Sequence, residues 1–347
     1  MAFTEWLVFM ATSLRRLKGS PRTHLLSVRP APQFSPSETT YSHRLNPAKS
    51  RRKIAQEENQ LGQFIPIHYH YNMLQDQVRV NMFKSAIEAN VRPGMHVVEL
   101  GGGTGILSSF AARCGARVTC VERNPELVHC AKRLLKLNGL DGQVEVIASD
   151  ARQYIPSQPV DAVICEMLHV GLLREKQLQV IDAFKHNYLS AIGGQLPSFF
   201  PEASVLAFQA VEHPFEFAGY QAPVPLFQAP NAESLQTKQL SQLEKYGTVI
   251  YDQHFSHRFQ CNVTIKISET GSLNALRFIT QNLVAVDQEG GLPFEWPNQF
   301  LVLPLDKPFD AQQGDRIRIR FRYEAGASLN SLSQSLRISR EVGVETR

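Results

Sequence analysis

The stretch Val97–Ala116, VVELGGGTGILSSFAARCGA, limits the folds open to this chain more than any other. A short apolar run led by Val97 and Val98 reads as a buried strand. Gly101, Gly102, Gly103 and Gly105 follow as a tight turn, and Ile106, Leu107, Phe110 and Ala111 then recur at helical spacing. Strand, glycine turn and helix open a doubly wound α/β sheet, whose ligands bind at the carboxyl ends of the strands. Glycine lets a ligand come close to the backbone because no Cβ intervenes. The spacing Gly101-x-Gly103-x-Gly105 puts Ile106 where a dinucleotide fingerprint wants its third glycine. Glu99, two residues before the turn, would repel a pyrophosphate but suits an ammonium or sulfonium centre. The ligand expected here is S-adenosylmethionine rather than NAD. A packing turn without a ligand is the bland alternative.

The same sheet supplies further acids. Val118–Val121 reads as the second strand and closes on Glu122, about twenty residues past Gly101, where such sheets hold ribose hydroxyls. Asn124-Pro125 opens a helix that ends at Asn138-Gly139. Val144–Ile147 is the third strand and leads to Asp150, placed for the adenine edge. Val160–Cys165 is the fourth and ends in Glu166. Nine residues on, Glu175 begins another helical pattern, and the intervening MLHVGLLR is long enough to fold back. Glu166 and Glu175 would then face each other; the plainer reading of Glu175 is an exposed acid at a helix start.

Before the sheet, residues 55–90 read as helical, and Pro93-Gly94 ends them. Taken alone, His70 reads as packing and Arg79 as solvent-facing. Residues 1–53 hold ten Lys and Arg against Glu5 and Glu38, and read as a basic tail, an organelle-targeting segment or a start placed too early. Nothing specific in the sequence supports a nucleic-acid partner. Five cysteines without CxxC or metal-ligand spacing read as reduced thiols of a cytoplasmic protein, and no metal is expected. No run approaches the ~18 apolar residues needed to cross a bilayer, so no membrane is expected. After residue 200 short β segments take over: Ser204–Val211, Thr248–His254, Asn262–Ser268, Ala275–Val284, Gln299–Leu303 and Arg316–Tyr323. The expected architecture is a doubly wound α/β domain over 55–200 and a β-rich barrel or sandwich over 201–347, after a segment 1–54 outside both.

These residues together resemble the protein arginine N-methyltransferase family. GGGTGILSSFAARCGA is similar to its first cofactor motif, CEMLHVGLLRE to its double-Glu loop, and HYNMLQDQVRVNMF to its helix before the sheet. The likeness covers roughly residues 60–200 and implies a Rossmann-like methyltransferase domain followed by a β-barrel-like domain. It implies that His70 and Arg79 meet the methionine carboxylate, that Glu99 sits near the amino group, and that Glu122 holds the ribose. It further implies that Glu166 and Glu175 clamp a substrate guanidinium, and that a protein with exposed Arg is the substrate. Met73 matches a pocket-lining position or is core.

Three departures stand out. Where the family has Thr-His-Trp this chain reads Phe294-Glu295-Trp296, so Glu295 would have to replace the His. Met167-Leu168-His169 alters the pocket wall, and residues 212–240, at the place of a dimerisation arm, are Pro-rich, leaving a homodimer open. Two other functions remain open: a methyltransferase for a small molecule or another side chain, and a catalytically silent binding protein.

Overall fold

The computed structural model describes residues 67–230, 237–287 and 289–341. The expectations for residues 1–53, and for the start of the helical window, lie outside them. Within that window the chain makes two helices rather than one: α1 (Ile67–Met73) and α2 (Gln77–Asn90). Asp76 divides them, because its carboxylate caps the backbone N–H of Arg79 and so starts a new helix.

Five parallel strands follow: β1 (His96–Leu100), β2 (Arg117–Glu122), β3 (Val144–Ala148), β4 (Ala162–Ile164) and β5 (Ser198–Phe200), in the order β3-β2-β1-β4-β5. β1 is buried along its whole length, as a parallel strand covered on both faces must be. The helices α3 (Ile106–Arg113), α4 (Pro125–Leu137) and α5 (Gln177–Ala191) cover the sheet. The order reverses between β1 and β4, which is where such a sheet opens its ligand crevice. Glu99 pairs with Ile164 there, so the glycine turn and Glu166 leave the sheet side by side. The fourth strand is shorter than the apolar run Val160–Cys165 suggests, since only three of its residues pair.

The second half is antiparallel. Its strands are β6 (Ala203–Glu212), β7 (Glu216–Phe217), β8 (Tyr220–Gln221), β9 (Leu226–Gln228), β10 (Lys238–Gln239), β11 (Glu244–Ile250), β12 (Arg258–Lys266), β13 (Gly271–Val286), β14 (Pro293–Pro297), β15 (Phe300–Ala311), β16 (Arg316–Glu324) and β17 (Arg337–Arg340). A short helix, α6 (Leu329–Ser335), precedes the last. One sheet runs β10-β6-β13-β15-β9 with β11 and β14 attached, and a second runs β12-β16-β17. They face each other across an aromatic core in which Phe321 lies 5.7 Å from Phe208 and 5.4 Å from Phe278. The strand expected at Thr248–His254 sits earlier, at Glu244–Ile250, because the residues after it turn away as a loop.

The two halves share one core. Trp296 of β14 meets Phe83 of α2 edge-on at 6.1 Å. Lys185 of α5 donates to the carbonyls of Tyr251 and Gln253 at 3.2 and 2.5 Å and lies 4.3 Å from the Phe255 ring. The five cysteines are free thiols. Among the described residues no helix is long and apolar enough to cross a membrane.

Candidate active site

One cavity lies over the carboxyl ends of β1, β2 and β4, and it gathers His70, Arg79, Glu99, Gly101, Gly103, Glu122, Asp150, Glu166 and Glu175. Its floor is the glycine turn. Gly101, Gly103 and Gly105 have φ of 80°, 55° and 80°, a region that L side chains avoid. Gly105 is the N-terminal cap of α3 and is not among the residues lining the cavity. A Cβ on Gly103 would stand 3.2 Å from His70 Nδ1, and one on Gly101 would stand 3.2 Å from the Met167 side chain. The backbone here is closed between strand and neighbours with no allowance for a side chain.

Glu122 is oriented by its own loop. Its Oε2 accepts from Gly103 N at 2.8 Å and its Oε1 from Asn124 N at 2.7 Å. Each carboxylate oxygen keeps a lone pair for another donor, such as a ribose hydroxyl. Glu99 is buried and accepts from the backbone N–H (2.8 Å) and the hydroxyl of Ser108. Burial pushes its carboxyl up to about 7. Asp150 is held by Arg152, whose Nη2 is 2.7 Å away, and by Arg123 at 3.3 Å. Those hydrogen bonds, Arg152 first, bring its carboxyl down to about 2, so it stays ionised at the rim.

At the other end, α2 delivers Arg79, buried, with its Nη1 on Glu166 Oε2 and its Nη2 donating to the Met73 carbonyl at 2.7 Å. Its Nε is buried and has no partner. An orphaned guanidinium N–H inside a cavity calls for an anion. His70 faces the same space, but burial lowers its ring below the ordinary histidine range, so it is neutral at pH 7. The cation expected of the pair is therefore Arg79 alone. Tyr69 is a residue the sequence reading passed over. Its hydroxyl is raised by burial and by the fields of Glu175 and Glu166, so it stands near both.

The loop between the two glutamates is short and strained. Gly171, Leu172 and Arg174 take φ of 67°, 52° and 61° around a 3-10 turn at Val170–Leu172. Strain of this kind persists only where surroundings hold it, and here the second domain does so. Gly171 donates to Thr280 Oγ1 at 2.7 Å and accepts from the Tyr323 hydroxyl at 2.9 Å. Asn298 Nδ2 donates to the Leu168 carbonyl at 3.0 Å, and Gly326 N to that of Leu172 at 2.8 Å. Gln177, fully buried, closes the base: its Nε2 donates to the Cys165 carbonyl (2.6 Å) and its Oε1 accepts from Met167 N (2.9 Å). The supports from the second domain are not visible in local sequence, because each joins residues more than a hundred apart in the chain.

Both glutamates are raised. Burial pushes Glu166 up, against the pull of Arg79. Burial, then the Glu166 charge, pushes Glu175 up to about 8. Glu175 is therefore not an ordinary exposed helix-start acid. Met73 and Met167 also line the cavity. His169 packs edge-on to Phe227 at 5.4 Å, and burial lowers its ring to about 4. Glu295 is not among the residues that line the cavity; it accepts from Gln281 Nε2 at 3.3 Å instead.

S-Adenosylmethionine fits this donor set. The orphaned Arg79 Nε suits its carboxylate, Glu99 its amino group and Glu122 its ribose hydroxyls. Among known proteins, the family model for a methyltransferase domain matches residues 97–187. An uncharacterised protein of Methanothermobacter thermautotrophicus is 31% identical over 269 residues, which is 77% of this chain and 97% of that protein. Protein arginine N-methyltransferase 6 of Xenopus laevis is 31% identical over 153 residues; the match covers 43% of this chain and 45% of that protein. The solved enzyme–prozyme complex of Trypanosoma brucei arginine methyltransferase 1 with AdoHcy superposes at a TM-score of 0.62, with 19% identity, 80% of this chain and 94% of that one. This chain thus carries a methyltransferase domain that uses S-adenosylmethionine, and it is similar to protein arginine N-methyltransferases over part of its sequence and in its fold.

Proposed function

We propose that the protein methylates the guanidinium of an arginine in a protein or peptide, held by Glu166 and Glu175. The observation that carries this reading is Arg79 itself: one wall of the cavity already holds a guanidinium against Glu166. An arginine side chain is always charged and presents a planar fork that pairs with carboxylates. Two carboxylates at one cavity bind that cation, turn one nitrogen toward the donor, and draw positive charge off it. When bound, S-adenosylmethionine supplies an electrophilic methyl on a sulfonium centre. With the methyl supplied by the bound cofactor, the proton that the methylated nitrogen must lose would pass to an ionised glutamate of the pair. Positioning dominates such a transfer.

Self-association belongs to the same proposal. The segment at the arm's position exposes Phe217, Tyr220, Val224 and Phe227, a set that suits contact with a second copy. Sedimentation of the wild type against Tyr220→Glu reads that directly, and a monomeric wild type ends it.

The catalytic test is transfer of labelled methyl from the cofactor to an Arg-rich peptide by wild type and by Glu166→Gln. The variant should bind S-adenosylhomocysteine yet lose roughly 10²-fold or more in kcat/KM. Label placed on another residue, or transfer indifferent to Glu166→Gln, would reject the guanidinium clamp.

A further inference from the structure

On the outward face of the β12-β16-β17 sheet, the central strand is dominated by basic residues. On β16 the inward residues Ile317, Ile319, Phe321 and Tyr323 are buried, and every outward residue from Arg316 to Arg322 is an arginine. Residues two apart on a strand stand about 7 Å apart, so Arg316, Arg318, Arg320 and Arg322 form one straight row. Register adds more charge. Lys266 of β12 lies directly across from Arg316, and Arg337 of β17 directly across from Arg320. Like charges facing across a ladder destabilise a sheet. Glu341 relieves only one end, pairing with Arg316 at 3.2 Å and Arg318 at 3.5 Å. Among the described residues neither the Arg320 nor the Arg322 guanidinium has an ion-pair or hydrogen-bond partner.

The rest of the chain makes this concentration stand out. Removing the ten basic and two acidic residues of the first 53 from totals of 36 and 32 leaves 26 basic against 30 acidic. The chain beyond residue 53, net acidic by that count, therefore gathers a basic row on one sheet face. Repulsion that folding does not need is expected at a binding surface. We infer that this face binds single-stranded RNA along its phosphate backbone. The row is linear, its steps are on the order of the spacing of successive phosphates in an extended strand, and arginine forks pair bidentately with phosphate. Gln260 and Asn262 of β12 stand across from Arg322 and Arg320 and offer further side-chain N–H donors to phosphate or sugar. No large apolar side chain is exposed on these strands to enter a bilayer, which separates the face from a membrane-surface site.

The test uses the full chain and a fluorescent oligouridine, with binding read by anisotropy from low to moderate salt. Four phosphate contacts predict a slope of log affinity on log salt of about −3 from this face, added to whatever the amino-terminal segment contributes. Arg320→Ser with Arg322→Ser should weaken binding at least tenfold and make the slope shallower by about 1.4. The same variant should keep its affinity for S-adenosylhomocysteine, and its Tm should hold or rise as repulsion is relieved. Wild type that fails to bind, or a variant that matches it in affinity and slope, overturns the inference. So does equal or tighter binding of wild type to polyglutamate or to phosphatidylserine vesicles.

Discussion

Glu175 sets the sharpest quantitative expectation. With its carboxyl at about 8, roughly a tenth of the free enzyme carries the Glu175 anion at pH 7 and roughly nine-tenths at pH 9. The substrate guanidinium does not titrate in that range, so the pH dependence belongs to the enzyme. At saturating cofactor, kcat/KM for an Arg peptide should therefore rise about tenfold from pH 7 to pH 9. A bound cation pulls the carboxyl down, so kcat itself should change far less, and the effect should sit in KM. Glu175→Gln should lose the rise and show a high, pH-independent KM. The same shift has a stability consequence of opposite sense. A carboxyl raised in the folded state favours folding at low pH, and that contribution is lost as pH climbs from about 4.5 to about 8. Initial rates across pH 6.5–9.5 decide the point: a kcat/KM that stays flat, or falls, refutes the assignment of Glu175 to the clamp.

Two other perturbations test the scaffold. Gln177→Ala leaves the Cys165 carbonyl and the Met167 N–H buried without a partner, at about 1–3 kcal/mol each; denaturant unfolding should register a loss of several kcal/mol, and a change below about 1 kcal/mol would contradict the pairing. Gly102→Ala drives a Cβ to 2.1 Å from Cys120 Sγ, an overpacking of about 1–3 kcal/mol. Adding Cys120→Ala should restore most of that stability in a double-mutant cycle, and strict additivity would count against the contact.

What the sequence made legible was local chemistry with a fixed spacing. The glycine turn, the strand-end acids at Glu99, Glu122 and Glu166, and the parallel sheet all follow from runs and intervals within a few dozen residues. The interrupted helix at Asp76 was hidden because its apolar period continues across the break, while the capping carboxylate decides the boundary. The supports of the double-Glu loop were hidden for a different reason. Thr280, Asn298 and Tyr323 join it across more than a hundred residues of chain, and no interval in the sequence announces such a bond. Glu295 is a different case. Its neighbour Trp296 matched the family's motif, yet β14 pairs with β13 in a register that turns the acid toward Gln281.

Arg79 ties the two halves of the chemistry together. Its Nη1 goes to Glu166, its Nη2 to the Met73 carbonyl, and its Nε is buried without a partner, a donor that suits the cofactor's carboxylate. A planar fork reaches all three at once; an ammonium cannot. Arg79→Lys keeps the charge, so any loss reports geometry. The variant should weaken S-adenosylhomocysteine by about tenfold, the scale of one charge-assisted hydrogen bond. It should also shift the pH profile set by Glu175 by little, because the Coulombic pull on that carboxyl survives. Arg79→Met removes the charge as well, so the midpoint of the profile should move up in addition to the loss of affinity. If Arg79→Lys binds the product as tightly as wild type, the fork is not what holds the carboxylate, and the link between cofactor and clamp through this residue is wrong.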